Sequence, residues 1–265
     1  MAKRELLLGD EALALGALHA GLSGVYAYPG TPSTEITEYI QGHPLTAQRG
    51  IHCTWSANEK TAMEEALGMS FAGKRALVCM KHVGMNVAAD AFVNSAMTGA
   101  NGGLVVVAAD DPSMHSSQNE QDNRFYAKAA RMALIEPSDS QECIDFLKEA
   151  YYISERFDMP VLFRTTTRIS HSKSLVTFGE REEQEVRPYE RNTRKYICAP
   201  ANAYLNHPKV EKNLKELEKY GNSCPINKIE MRGNKTGVIT ASVAYQYAKD
   251  VFPEETSFLK LGLTY

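Results

Sequence analysis

The stretch from Ile51 to Met80, IHCTWSANEKTAMEEALGMSFAGKRALVCM, decides the fold. Ile51 to Trp55 is a short apolar run that reads as a strand. Asn58 can cap the helix behind it, because its side-chain oxygen accepts from a free N–H of the first turn. Gly73 suits the left-handed residue that closes a helix, so the spacing predicts a helix over Asn58 to Ala72. Ala76 to Met80 is continuously apolar, the pattern of a strand covered on both faces. Strand, helix and strand in succession form the unit from which parallel sheets are built.

The same alternation continues outward. Towards the N-terminus, Asp10 to Ala20 (DEALALGALHA) is apolar at helical spacing and stops at Gly21, and Gly24 to Tyr28 reads as a short strand. Pro29 to Thr34 (PGTPST) is a turn, with Pro32 placed to start the next helix. Towards the C-terminus come a helix over Val83 to Met97, the strand Leu104 to Ala108 (LVVVA), a polar loop over Ala109 to Gln121 and a short helix over Arg124 to Ala130. A strand over Ala133 to Ile135, a helix over Ser140 to Arg156 capped by Ser138 or Ser140, and a strand over Pro160 to Arg164 follow. The expected fold class is α/β, a parallel sheet with helices on both faces. Ligands of such sheets bind at the carboxyl ends of the strands. Three loops qualify: Pro29 to Thr34, Lys81 to Met85 and Ala109 to Gln121.

Beyond His171 the texture changes. His171 to Asn202 is charged and loop-like, Val210 to Tyr220 is a polar helix, and Thr236 to Thr240, Val243 to Val251 and Ser257 to Leu263 read as strand, helix, strand. We expect a first α/β domain over 1–170, a linker over 171–233 and the opening of a second α/β unit over 234–265. That last unit is too short to hold a core alone, so the sequence reads as a piece of a longer protein.

Composition excludes several classes. With 43% hydrophobic and 23% charged residues the chain is neither disordered nor low-complexity. A net charge of −3 speaks against a dedicated nucleic-acid binder, which needs a concentrated basic surface. Cys53, Cys79, Cys143, Cys198 and Cys224 are irregularly spaced, with no CxxC pair, which argues against a zinc site, an iron–sulfur cluster or a disulfide framework and fits a reducing, cytoplasmic setting. No run approaches the roughly 20 apolar residues that span a bilayer.

Gly68, Gly73 and Lys74 mimic a phosphate loop, but these glycines close a helix and precede a strand, the reverse of the order such a loop requires. Glu59, behind the capping Asn58, is either a first-turn acid favoured by the helix dipole or a partly buried carboxyl at the mouth of the sheet, able to exchange a proton with a bound heterocycle. Thr31, between Gly30 and Pro32, either caps the next helix or meets an anionic ligand. His82 is either a solvated loop residue or a contact at the sheet mouth. The loop containing His115, Ser116, Ser117 and Gln118 is either bare surface or a contact for a polar substrate. His19, His43, His52, His171 and His207 show no partner spacing and read as structural or exposed.

Four blocks, GDEALALGALHAG, VYAYPGTPSTEI, TWSANEKTAMEEALGMSFAGKRALVCMKHVGMN and AADDPSMHSSQNEQDNR, in this order within residues 5–170, resemble the α subunits of indolepyruvate-type ferredoxin oxidoreductases. These are thiamine diphosphate-dependent 2-oxoacid:ferredoxin oxidoreductases. The resemblance implies oxidative decarboxylation of an arylpyruvate with coenzyme A, with electrons passed to ferredoxin. It makes residues 1–170 the domain that binds the cofactor's aminopyrimidine ring. Glu59 falls on the family's carboxylate that hydrogen-bonds ring N1′ and favours the imino tautomer, and is thus the implied catalytic residue. Gly30, His82 and Asn86 fall on the cofactor side by position. Thr31 falls on the threonine that faces the 2-oxoacid, and His115 and Gln118 on a loop of the substrate side. No metal ligand is implied among these residues. The family's GDG…N magnesium motif and the cysteine clusters for [4Fe–4S] are not found in the sequence, so Mg2+ and the clusters are expected elsewhere in the full subunit, and this piece is expected to be inactive alone. The implied partners are a β subunit, ferredoxin, the 2-oxoacid and coenzyme A, in a homodimer or heterotetramer, with neither nucleic acid nor membrane. Two alternatives stay open: a non-oxidative thiamine diphosphate-dependent 2-oxoacid decarboxylase subunit, and a non-catalytic α/β assembly module.

Overall fold

The computed structural model describes residues 3–233 and 235–264. The expected domain boundary falls on Asn234, which with Met1, Ala2 and Tyr265 lies outside the described residues. In chain order the elements are β1 (Lys3–Leu8), α1 (Gly9–His19), β2 (Gly24–Ala27), α2 (Thr34–Gly42), α3 (Pro44–Arg49), β3 (His52–Trp55), α4 (Glu59–Phe71), β4 (Ala76–Lys81), α5 (Gly84–Thr98), β5 (Leu104–Asp110) and α6 (Arg124–Ala130). They continue with β6 (Ala133–Ile135), α7 (Ser140–Phe157), β7 (Val161–Thr166), α8 (Thr167–Ser170), β8 (Lys173–Phe178), α9 (Thr193–Tyr196), α10 (Pro200–Gly221), β9 (Lys228–Glu230), β10 (Gly237–Ala241), α11 (Ser242–Val251) and β11 (Ser257–Leu261).

Six strands form one parallel sheet in the order β3-β2-β4-β5-β7-β6. Alternate residues of the apolar strands feed two separate cores. Leu77, Cys79, Val105, Val107, Val161 and Phe163 face α1, α2 and α7, where Leu13, Ile36, Ile40 and Leu147 cover them. Val78, Met80, Val106, Ala108 and Leu162 face α4, α5 and α6, under Met63, Ala66, Phe92 and Ala127. This double cover is why the strands read as unbroken apolar runs.

Several local readings are corrected. Asp139, not Ser138 or Ser140, caps α7: its extended backbone lets its carboxylate accept from the Glu142 N–H at 2.9 Å, and Ser140 already lies inside the helix. Pro32 does not start α2; Ser33 is the N-cap and Thr34 the first helical residue. The helix expected from Val210 begins at Pro200 and runs through Pro208, which sits inside α10 despite lacking an N–H. The stretch after His171 is not all loop, since Lys173–Phe178 pairs antiparallel with Lys3–Leu8. A third sheet, β10-β11-β9, docks on the β6 edge: the Glu136 N–H donates to the Gly262 carbonyl at 2.9 Å, and the Thr264 N–H to the Leu134 carbonyl at 2.9 Å. Among the described residues no helix is long and apolar enough to cross a membrane.

Candidate functional site

From β2 the chain runs outward to β3 and then returns to β4 on the other side of β2. Strand order therefore switches between β2 and β4, and the crevice of an open parallel sheet lies at the carboxyl ends flanking such a switch. The turn after β2 holds Gly30 and Thr31. The turn after β4 holds His82, and Gly84 opens α5 behind it. The helix after β3 opens with Glu59.

Close contacts tie these pieces together. The methylenes of Lys81 lie against Gly30, so a Cβ there would sit 3.0 Å from Lys81 Cδ. Glu59 packs on the bare backbone of Gly84, where an added Cβ would lie 2.7 Å from both Glu59 Cγ and Oε1. Asn58 caps α4 as expected, accepting from the Thr61 N–H at 3.0 Å, and this fixes Glu59 at the first helical position. Glu59 is 9% exposed, yet among the described residues its carboxyl has no hydrogen-bond or ion-pair partner. Its oxygens are not among the buried unpartnered atoms, so they are open to solvent or to a ligand.

The loop after β5 folds over the β4–α5 turn. The Asn119 carbonyl and side-chain oxygen lie 3.0 and 3.1 Å from His82 Nε2, and Gln121 Nε2 donates to the His82 carbonyl at 2.7 Å. Asn86 donates to Gln121 Oε1 at 2.9 Å and accepts from the Tyr126 hydroxyl at 2.5 Å, so both ends of its amide are engaged. His82 is fully buried, and among the described residues its Nδ1 has no partner; it is not a solvated loop histidine. Lys81 Nζ donates to the Ser116 carbonyl at 3.1 Å. Asp111, 1% exposed, anchors the loop by accepting from the Ser116 N–H, the Ser117 hydroxyl and the Thr167 hydroxyl at 2.7–2.8 Å. Burial pushes the Asp111 pKa up, but these hydrogen bonds outweigh it and hold the carboxyl well below the usual range.

Thr31 is exposed, and among the described residues its hydroxyl makes no hydrogen bond. The capping reading fails: Ser33 Oγ donates to the Gly30 carbonyl at 2.8 Å, and Thr34 Oγ1 accepts from the Gly30 N–H at 2.9 Å, which leaves Thr31 out of the turn's hydrogen bonding. Glu59, Gly30, His82 and Asn86 thus gather around the β2–β4 switch. His115 instead opens onto a cleft of about 640 Å3 lined by Thr166, Thr167, His171, Val243 and Tyr247, and Gln118 is exposed. Gly73 closes α4 at φ +84°, where a Cβ would meet the Arg187 carbonyl oxygen at 1.8 Å, so its role is steric and the resemblance to a phosphate loop ends there.

Three contributors went unread in the sequence. Lys81 and Gly84 were within a recognised loop, but their contacts are tertiary. Arg164, inside β7, bonds Asp110 and Glu136, each at 2.6 Å, and both carboxylates are fully buried. Asp110 also accepts from the Asn123 side chain at 2.7 Å. This cluster fixes the ends of β5, β6 and β7 beneath the loop. An arginine directly after an apolar run was the available signal.

The arrangement defines a class: an α/β sheet domain that offers one unpartnered, nearly buried carboxyl at its topological switch point. Residues 15–222 match the family model described as pyruvate flavodoxin/ferredoxin oxidoreductase, thiamine diphosphate-binding, and the chain belongs to that family. It is 43% identical over 252 residues to the indolepyruvate oxidoreductase subunit IorA of Archaeoglobus fulgidus, covering 94% of this chain and 40% of the relative. To the subunit of the same name from Thermococcus kodakarensis it is 40% identical over 271 residues, covering 98% and 42%. The chain therefore spans about two-fifths of the length of these relatives. Its fold is that of the 2-oxoglutarate:ferredoxin oxidoreductase from Magnetococcus marinus, with a TM-score of 0.77 at 17% identity over 98% of this chain and 54% of that one.

Proposed function

We propose that this chain is the aminopyrimidine-binding part of a thiamine diphosphate-dependent oxidoreductase acting on arylpyruvates of the indolepyruvate type. In this reading the complete enzyme forms an aryl-acetyl-CoA from coenzyme A and reduces ferredoxin. The observation that carries it is the Glu59 carboxyl: nearly buried, without a protein partner, and seated on Gly84 at the sheet's switch point. The relatives named for indolepyruvate, at about 40% identity, support the choice of substrate.

The residues present fit the cofactor's ring. A heterocyclic nitrogen needs one hydrogen-bonding carboxyl, and Glu59 offers an unused one. When bound, the cofactor supplies a carbon nucleophile and an electron sink for decarboxylation. Glu59 shares a proton with ring N1′ and thereby sets the ring's tautomer. The Asn58 cap preorganises that hydrogen bond by fixing the first turn of α4. Gly30, whose bare backbone seats the Lys81 methylenes, lies with His82 and Asn86 on the cofactor side, the latter two under the loop held by Asn119 and Gln121. The free Thr31 hydroxyl donates to the 2-oxoacid, and His115 and Gln118 stand further along the substrate path. Mg2+, the [4Fe–4S] clusters, the β subunit and the ferredoxin site belong to parts outside these residues, in a cytoplasmic homodimer or heterotetramer.

Glu59→Gln in the assembled enzyme tests this. Loss of the proton-sharing group should lower turnover about 10²–10⁴-fold while thiamine diphosphate still binds. Near-normal turnover in that variant overturns the proposal.

A further inference from the structure

Asp10, the second residue of α1, is fully buried, and neither of its carboxylate oxygens has a hydrogen-bond partner among the described residues. The other carboxylates buried to the same degree, Asp110 and Glu136, are each bonded to Arg164. Asp10 has no such cation. Two other groups approach it. Glu35, in the first turn of α2, has a buried Oε2 that is also unpartnered, and its Oε1 lies 3.6 Å from Nε2 of His171, just after α8. One ligand atom from each residue falls within 4.8 Å of those of the other two.

We infer that Asp10, Glu35 and His171 form a binding site for a divalent transition-metal ion. Ligand atoms about 2.0–2.2 Å from one ion stand roughly 3–4.4 Å from each other, so a small closure of the two outer side chains completes the set. The side chains of Glu35 and His171 are each 35% exposed, whereas Asp10 is fully buried. Two carboxylates and an imidazole suit Mn2+, Fe2+, Co2+ or Zn2+; the imidazole disfavours Mg2+ and Ca2+. His171 also lines the open cleft of about 640 Å3, which gives that side of the site access to solvent. None of the three residues is among those gathered around Glu59.

The test is titration of Co2+ into the metal-free full chain, followed by visible absorption and calorimetry, with thermal melts alongside. We expect one site, a ligand-field band, a rise in Tm with Co2+, and a loss of affinity of at least about tenfold in each of Asp10→Asn, Glu35→Gln and His171→Ala. If Asp10→Asn does not fold, the two variants at partly exposed positions decide. No band and no shift in Tm would overturn the site. Binding that is unchanged in Glu35→Gln and His171→Ala overturns it equally.

Discussion

Gly84→Ala is the sharpest probe of the proposed chemistry, because it moves Glu59 without altering it. The new Cβ would lie 2.7 Å from Cγ and Oε1 of Glu59. Unstrained contact needs about 3.5 Å, so the carboxyl must retreat by roughly 1 Å. A displacement of about 1 Å at a catalytic group costs on the order of 100-fold in rate. The effect on the fold is small, because two contributions oppose each other. Alanine gains about 0.5–1 kcal/mol over glycine in a helix, and a tight methyl costs about 1–3 kcal/mol. At about 2–4 °C per kcal/mol for a chain of this size, Tm falls by no more than about 10 °C. The assay is 2-oxoacid-dependent ferredoxin reduction by the complete enzyme, with a circular dichroism melt of the same sample. Turnover within about threefold of wild type refutes the reasoning. Turnover lost only because the protein no longer folds refutes it as well.

Thr31→Val should raise KM for the 2-oxoacid about tenfold through one lost hydrogen bond, with Tm unchanged; a shift in Tm alone would restore a structural role for Thr31. Arg164→Met leaves Asp110 and Glu136 buried without their cation, which costs about 3–5 kcal/mol, and a melt showing a loss below about 1 kcal/mol contradicts the account. Asp111 has a depressed folded pKa, so its stabilisation is present above the unfolded carboxyl pKa of about 4 and fades as pH falls through the folded value. Wild type should therefore lose its Tm advantage over Asp111→Asn on acidification from neutral pH, and an advantage that grows towards acid would show the sign to be wrong.

The first 170 residues were legible because their elements are encoded locally. The helix Arg124–Ala130 and the strand Ala133–Ile135 lie where the sequence put them, and the cap at Asn58 places Glu59 at the first turn of its helix. What could not be read depends on distant partners. Lys3–Leu8 and Lys173–Phe178 are mostly exposed, and they become strands only by pairing with each other across the chain. The sequence predicts a helix only over Val210 to Tyr220, yet the helix begins at Pro200 and continues through Pro208, held in part by Lys209 on Asp158 and by Asn213 on the Phe157 carbonyl at 2.7 Å. His171 showed no partner spacing because Asp10 and Glu35 reach it from two other helices. At the site, Glu59 was visible as a position, whereas its isolation from protein partners and its seat on Gly84 belong to the packing of α4 against α5.

The most direct measurement of the central claim is deuterium exchange at the reactive C2 carbon of thiamine diphosphate bound to the complete enzyme, quenched and read by NMR, for wild type and Glu59→Gln. If Glu59 sets the ring's tautomer, exchange in the variant should slow by about 10²-fold or more while the cofactor stays bound. Equal exchange rates in the two proteins would mean that the carboxyl on Gly84 is a buried first-turn acid and nothing more.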